Sequence, residues 1–261
     1  MQAEIGIIGG TGVYDPTLLK NVKETRIRTP YAAPSDAISI GELKGRKIAF
    51  IPRHGRKHTI RPTDINSRAN MYALKKLGVQ RILAPSAVGS LKEDYRPGDT
   101  VIVDQFIDKT TKREQSFYTG KQVCHVSVAD PMCPQLRDVL IKTAEEMEIR
   151  YHKTGTYVCI EGPRFSTKAE SKMHRSWGAD IIGMTLVPEC VLAREAEICY
   201  ACIATVTDYD VWKDHPVNAE EVAKTMKQNM EKIKTLITKT ISAMPKKRIC
   251  ECRHALENAL V

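Results

Sequence analysis

Cys199-Tyr200-Ala201-Cys202-Ile203-Ala204-Thr205-Val206, running into Thr207-Asp208-Tyr209-Asp210, is the stretch from which the fold is read. An unbroken run of small and β-branched apolar residues predicts a strand buried on both faces, as in the interior of an α/β sheet. The run ends in two carboxylates two residues apart, and ligand sites in open α/β sheets lie beyond the carboxyl ends of strands. A carboxyl group on such a buried scaffold has its pKa raised and can act as an acid near neutral pH. Asp-x-Asp also suits a solvated turn or a helix cap, so the rest of the chain has to decide.

At 261 residues and 29.3 kDa the chain can bury the core of one large α/β domain. No repeat, low-complexity tract or linker divides it, so residues 1–261 are read as a single domain. Hydrophobic residues at 42% and charged residues at 27% place it among ordinary globular proteins. No apolar run approaches the roughly 20 residues that span a bilayer. Met1-Gln2-Ala3-Glu4 leads straight into a strand without a basic n-region and apolar h-region, so a cytoplasmic location and no membrane partner are expected. The net charge of +9 raises nucleic acid as a partner. Its 40 basic residues are interleaved with 31 acidic ones, however, and aromatics are only 6%, so no basic stripe with stacking residues emerges. No nucleic-acid partner is therefore expected, and a protein that handles phosphate accounts for the charge equally well.

Eight cysteines show no paired zinc-knuckle spacing. Cys199 and Cys202 have redox-motif spacing, but on a strand their side chains face opposite ways and read as small buried apolar groups. Cys250-Glu251-Cys252, with His254 nearby, is left open between a redox pair, part of a metal site and two unreactive tail thiols.

Several other strand ends carry chemistry. Glu4–Gly9 breaks into Gly9-Gly10-Thr11-Gly12, which is neither a Rossmann nor a Walker fingerprint; phosphate cradle and tight turn stay equally open. Asp36–Leu43 and Arg46–Arg53 form a hairpin ending in Arg53-His54-Gly55, an Arg fork beside a second donor that suits an oxyanion. Pro62 to Leu77 reads as a helix. Arg81–Ala87 is a strand opening into a small-residue turn, Ser86-Ala87-Val88-Gly89-Ser90. Thr110 to Lys121 is polar loop, and His125 on its own reads as a structural histidine. Thr156–Ile160 delivers Glu161-Gly162-Pro163-Arg164-Phe165-Ser166, a loop with an aromatic available to stack on a planar ligand. From the Asn218 N-cap, Val222, Met226, Met230, Ile233, Ile237 and Ile241 give a helical packing face, and Ala255–Val261 reads as a short apolar helix.

Together, Gly9-Gly10-Thr11-Gly12, Pro52-Arg53-His54-Gly55, Gly89-Ser90-Leu91, Gln105-Phe106-Ile107-Asp108, Glu161–Ser166, Met184-Thr185 with Val187-Pro188-Glu189, and Thr207–Asp210 resemble the 5′-methylthioadenosine phosphorylases. These belong to the trimeric branch of purine nucleoside phosphorylases. The resemblance runs in one order from about residue 4 to residue 245. It implies a three-layer α/β phosphorylase fold with a mixed central sheet, and cleavage of 5′-methylthioadenosine by inorganic phosphate. Phosphate is the co-substrate, no metal or organic cofactor is required, and a homotrimer or a dimer of trimers is implied. Matched to the family, Thr11, Arg53, His54, Ser86, the Ala87 backbone and Thr185 hold phosphate, Met184 lies against the sugar and Phe165 near the base. Tyr209 joins the substrate residues, Ser166 and Ala219 tune specificity, and His125 enters the neighbouring subunit's methylthio pocket.

Asp208 is the candidate acid at purine N7, and Asp210 the acceptor for a 6-amino group. An acceptor pair favours adenine, whereas 6-oxopurine relatives carry Asn at the leading position; a phosphorylase for methylthioinosine, inosine or guanosine is the alternative. The resemblance also implies a Cys133–Cys199 disulfide, with Arg194 and Arg253 standing where a second pair would sit.

Overall fold

The computed structural model describes residues 2–10, 19–213 and 217–261. In chain order the strands are β1 (Ile5–Gly9), β2 (Lys20–Thr25), β3 (Ile38–Leu43), β4 (Arg46–Pro52), β5 (Arg81–Ser90), β6 (Thr100–Ile102), β7 (Gln105–Lys109), β8 (Tyr151–His152), β9 (Thr156–Ile160), β10 (Ile181–Gly183) and β11 (Cys199–Asp208). The helices are α1 (Ser67–Lys76), α2 (Pro134–Glu146), α3 (Lys168–Ser176), α4 (Leu186–Glu195) and α5 (Ala219–Ala243). None is long and apolar enough to cross a membrane, among the described residues.

The strands join one mixed sheet in the order β2-β3-β4-β1-β5-β10-β9-β7, with β11, β6 and β8 branching from β5. β11 runs parallel to β5 from Cys199↔Arg81 to Val206↔Val88, and both strands are almost wholly buried. Alternation along β11 feeds two cores. Tyr200, Cys202, Ala204 and Val206 pack with α1 and α4, while Cys199, Ala201 and Ile203 pack with α2 and α5. This two-sided burial is why the strand reads as a continuous apolar run, and it gives the expected helix–sheet–helix layering.

The other edge of β5 is shared. β1 pairs in parallel with Arg81–Leu83 only, and β10 pairs antiparallel with Gly89 and Ser90 only. Between them, Ala84 to Val88 have no strand neighbour on that edge among the described residues, and the gap receives the ends of both β1 and β10. Ser86 to Ser90, predicted as a turn, is instead a continuation of β5, because pairing with β11 carries it through. Helix α1 begins at Ser67 after a 3-10 turn at Pro62–Asp64 rather than at Pro62, with the Asn66 side chain as its cap. Residues 255–261 do not form the predicted helix; Val123 and Val261 exchange backbone hydrogen bonds, and the His125 N–H donates to the Ala259 carbonyl.

The ends of the chain are tied by charge. Glu4 accepts from Arg46 (Nε to Oε2, 3.0 Å) and from the fully buried Arg81 (Nη1 to Oε1, 2.8 Å). The same arginines donate to the carbonyls of Met244 (2.7 Å) and Pro245 (2.9 Å) just beyond α5. Glu4→Ala therefore strands Arg81 without its carboxylate. Urea unfolding should show a loss of about 2 kcal/mol, below the usual 3–5 for a broken buried pair because Glu4 is partly exposed; a loss under ~0.5 kcal/mol would refute this role.

Candidate functional site

A cavity of about 640 Å³ opens at the gap in the β5 edge. Its lining includes Arg53, His54, Ser86, Ala87, Phe165, Ser166, Met184, Thr185, Asp208, Asp210 and Ala219. Segments separated by more than 150 residues in sequence are thus gathered at one place by the strand ends. Thr11 lies outside the described residues. Two predicted residues are absent from the lining. Tyr209 turns its hydroxyl to the Glu93 carbonyl (3.5 Å) and its ring against Trp212. His125 is held by the C-terminal segment.

One part of the cavity wall gathers a buried guanidinium and several hydroxyls. Arg53 is buried, and its Nε and Nη2 donate to Glu189 Oε1 (2.5 Å) and Oε2 (3.0 Å). Its Nη1 donates to the Pro85 carbonyl (3.0 Å) and Nη2 also to that of Ile8 (3.0 Å). Burial opposes the guanidinium charge and the Glu189 carboxylate more than offsets it, so Arg53 stays charged. These contacts occupy four of the five N–H donors, leaving one Nη1 proton for a ligand. Ser86 Oγ and Thr185 Oγ1 stand 3.1 Å apart, adding two hydroxyls. The Tyr157 hydroxyl lies 3.4 Å from Ser86 Oγ and meets the Thr185 N–H at 3.3 Å. That hydroxyl occupies the space over Gly183, where a Cβ would come within 2.0 Å of it.

His54, expected as a second donor, behaves differently. Its Nδ1 faces the Ile60 carbonyl (2.9 Å), which only accepts, so the ring proton is committed there. Burial, then the neighbouring Arg53 charge, pushes its pKa down to about 4. The neutral ring's other nitrogen is an acceptor.

The opposite end carries the two aspartates. Burial pushes the Asp208 carboxyl up, outweighing hydrogen bonds from Thr207 and the Asp210 N–H. Thr207 Oγ1 sits 2.6 Å from Asp208 Oδ2 and 3.1 Å from the Val88 carbonyl. Asp208 Oδ1 accepts from the Asp210 N–H (2.8 Å) and lies 2.8 Å from the position a Cβ on Gly89 would take, closer than real Cβ contacts come. Only glycine permits that approach. Burial also raises Asp210, and its Oδ2 has no hydrogen-bond partner among the described residues. The Ser166 hydroxyl is likewise unpartnered among them. Buried acceptors left open in a cavity wall are places for a ligand's donors.

Three features escaped the sequence reading. Glu189 was quoted only within a motif, yet it carries the counter-charge of Arg53. Arg113, placed in a polar loop, donates from Nη1 to the carbonyls of Met184 (2.7 Å) and Val187 (2.6 Å) and from Nη2 to that of Glu161 (2.7 Å), fixing two cavity loops together. A single Arg in a polar stretch gives no sequence signal. Finally, Val222, Met226 and Met230 line the cavity, whereas Ile233, Ile237 and Ile241 are core, so the α5 face read as packing is divided between two tasks.

The chain that builds this cavity on its mixed sheet belongs to the phosphorylase superfamily, whose family model matches residues 4–242. More particularly, it is 57% identical over 260 residues to the S-methyl-5′-thioadenosine phosphorylase of Thermofilum pendens, covering 100% of this chain and 99% of that one. It is 59% identical over 258 residues to the Nitrosopumilus maritimus protein of the same name, covering 99% and 98%. A methylthioadenosine phosphorylase from an Antarctic soil metagenomic library superposes with a TM-score of 0.95 at 45% identity, covering 100% of this chain and 93% of that one. The Schistosoma mansoni methylthioadenosine phosphorylase in complex with adenine gives 0.93 at 38% identity, covering 98% and 96%.

His54 makes stability depend on pH. Its ordinary pKa of 6.5 falls to about 4 in the fold. Between those values the unfolded chain binds more protons than the native one, so stability drops as pH falls through the interval. In His54→Gln that share of acid sensitivity disappears. Urea unfolding between roughly pH 6.5 and pH 4 should give a flatter profile for the variant, and parallel profiles would refute the assignment.

Proposed function

We propose that the chain catalyses phosphorolysis of S-methyl-5′-thioadenosine, releasing adenine and 5-methylthioribose 1-phosphate. The observation that carries this reading is one cavity holding a buried acid–acceptor pair, Asp208 and Asp210, opposite the Arg53–Ser86–Thr185 cluster. Phosphate lies against the free Arg53 proton, the two hydroxyls and the Ala87 backbone, with neutral His54 accepting from the P–OH of hydrogen phosphate. A phosphate oxygen bonds to the anomeric carbon as the carbon–nitrogen bond breaks. The electrons of that bond pass into the purine, and Asp208 delivers a proton to N7, so adenine leaves neutral. The 6-amino group donates to the open Asp210 Oδ2, a pairing that a 6-oxopurine does not make. Phe165 stacks on the base, Met184 lies against the ribose, and the thioether packs on the apolar first turns of α5 with Ala219 and Ser166 at the margin. The reaction needs no metal or organic cofactor.

The chain works as a homotrimer or a pair of trimers, in the cytoplasm. His125 is outside this chain's own cavity lining, so the role given to it by the family requires a second copy.

The test is release of adenine with and without phosphate, with methylthioinosine run in parallel. Turnover that persists without phosphate would overturn the mechanism, and activity confined to methylthioinosine would overturn the base assignment. Asp208→Asn should lower kcat for adenine release by roughly 10²–10⁴-fold while raising the relative rate on methylthioinosine. Because the acid form is consumed as pH rises, wild-type kcat should fall on the alkaline side and the Asn variant should lose that limb.

A further inference from the structure

Four cysteines that have no part in this reaction meet at the far end of β11. Cys133 caps the N-terminus of α2, Cys199 begins β11, and Cys250 and Cys252 flank the start of a 3-10 turn at Glu251–His254. All four are buried, among Leu136, Ile237 and Met244. Their sulfurs all lie within 4.8 Å of one another, with Cys199–Cys250 at 3.3 Å and Cys133–Cys250 at 3.6 Å. The expected Cys133–Cys199 disulfide is not formed, and each of those sulfurs instead neighbours Cys250.

Four sulfurs placed about 2.3 Å from one ion in a tetrahedron are separated by about 3.8 Å, whereas a disulfide brings two of them to about 2.05 Å. The two shortest contacts, 3.3 and 3.6 Å, lie nearer the first arrangement than the second. We propose that Cys133, Cys199, Cys250 and Cys252 form a tetrathiolate site for a structural zinc ion. Four thiolates around a divalent cation carry two surplus negative charges in an apolar core. Two groups offset them: the Arg194 guanidinium, whose Nη1 donates to Cys252 Sγ (3.7 Å), and the N-terminus of the 13-residue α2 at Cys133. All four ligands come from the protein, which leaves no open position and marks the site as structural rather than catalytic. The ten-residue strand β11 separates it from Asp208 by roughly 30 Å.

Its effect is to staple the C-terminal segment to the start of the central strand and to the cap of α2. That segment in turn holds residues 123–125 through Val261 and Ala259. The ion therefore fixes the tail and, through it, the backbone at His125.

The experiment uses the full chain purified anaerobically with reductant. Metal analysis should find about one zinc per chain that survives dialysis and shields four thiols from a thiol reagent until a chelator is added. Replacing it by Co²⁺ should give the visible and near-ultraviolet bands of tetrahedral cobalt thiolate. Cys252→Ser should weaken Co²⁺ uptake at least tenfold and lower Tm; Cys124→Ser, outside the cluster, should do neither. Because a ligand variant can fail to fold, the Co²⁺ titration of the wild-type chain is decisive. Reduced wild-type protein that takes up neither Zn²⁺ nor Co²⁺, or that pairs these cysteines as disulfides on reoxidation without ever binding metal, would overturn the proposal.

Discussion

The parallel ladder between β5 and β11 is the constraint on which the remaining structure depends. Both strands are buried along nearly their full length, so neither can shift register without moving an entire core face. With one edge of β5 committed to β11, the other is divided between β1 at its start and β10 at its end. The two neighbours run in opposite directions relative to β5, so their ends point toward the same unpaired stretch from both sides. A cavity at Ser86 and Ala87 follows from that division, walled by strand ends together with the loop of Phe165 and Ser166 and the first turns of α5. This rigidity suits a site whose donors must be in place before charge develops.

Charge inside such a cavity has to be compensated locally. At the anion end Glu189 and two backbone carbonyls hold Arg53 charged and immobile, so its remaining N–H is aimed rather than free. At the acid end no ion pair to either aspartate is found among the described residues, and burial raises the pKa of both. One pocket thereby holds the Arg53 charge together with two carboxyl groups whose pKa values burial raises. Arg113 contributes by locking the loop after β9 to the loop after β10, which sets where Met184 stands against Gly162.

Much of this was legible from residues because it obeys short-range rules. The apolar run 199–206, the hairpin ending at Arg53-His54 and the Asn218 cap each express a local pattern, and each is found in the fold. The motif order carried the site further, bringing Arg53, Ser86, Thr185, Asp208 and Asp210 to one cavity. The failures share a cause. Ser86–Ser90 has the small residues of a turn but is held extended by a partner more than 100 residues away. The tail has helical composition but pairs with residues 123–125. Tyr209, between two site aspartates, lies just past the end of β11, where the chain turns with Asp210 at positive φ, and packs its ring on Trp212.

The sequence by itself determined the elements, the chemistry available at their ends and the class of reaction those residue types suit, since propensity, periodicity and side-chain chemistry are local. Only the tertiary structure decided which groups share a proton, a charge or a sulfur contact. The hydrogen bond from His54 to Ile60, the pairing of Arg53 with Glu189 and the meeting of four cysteines all join residues whose separation in the chain says nothing of their distance in space. Burial and proximity set pKa values and ligand geometry, and both are properties of the packed chain alone.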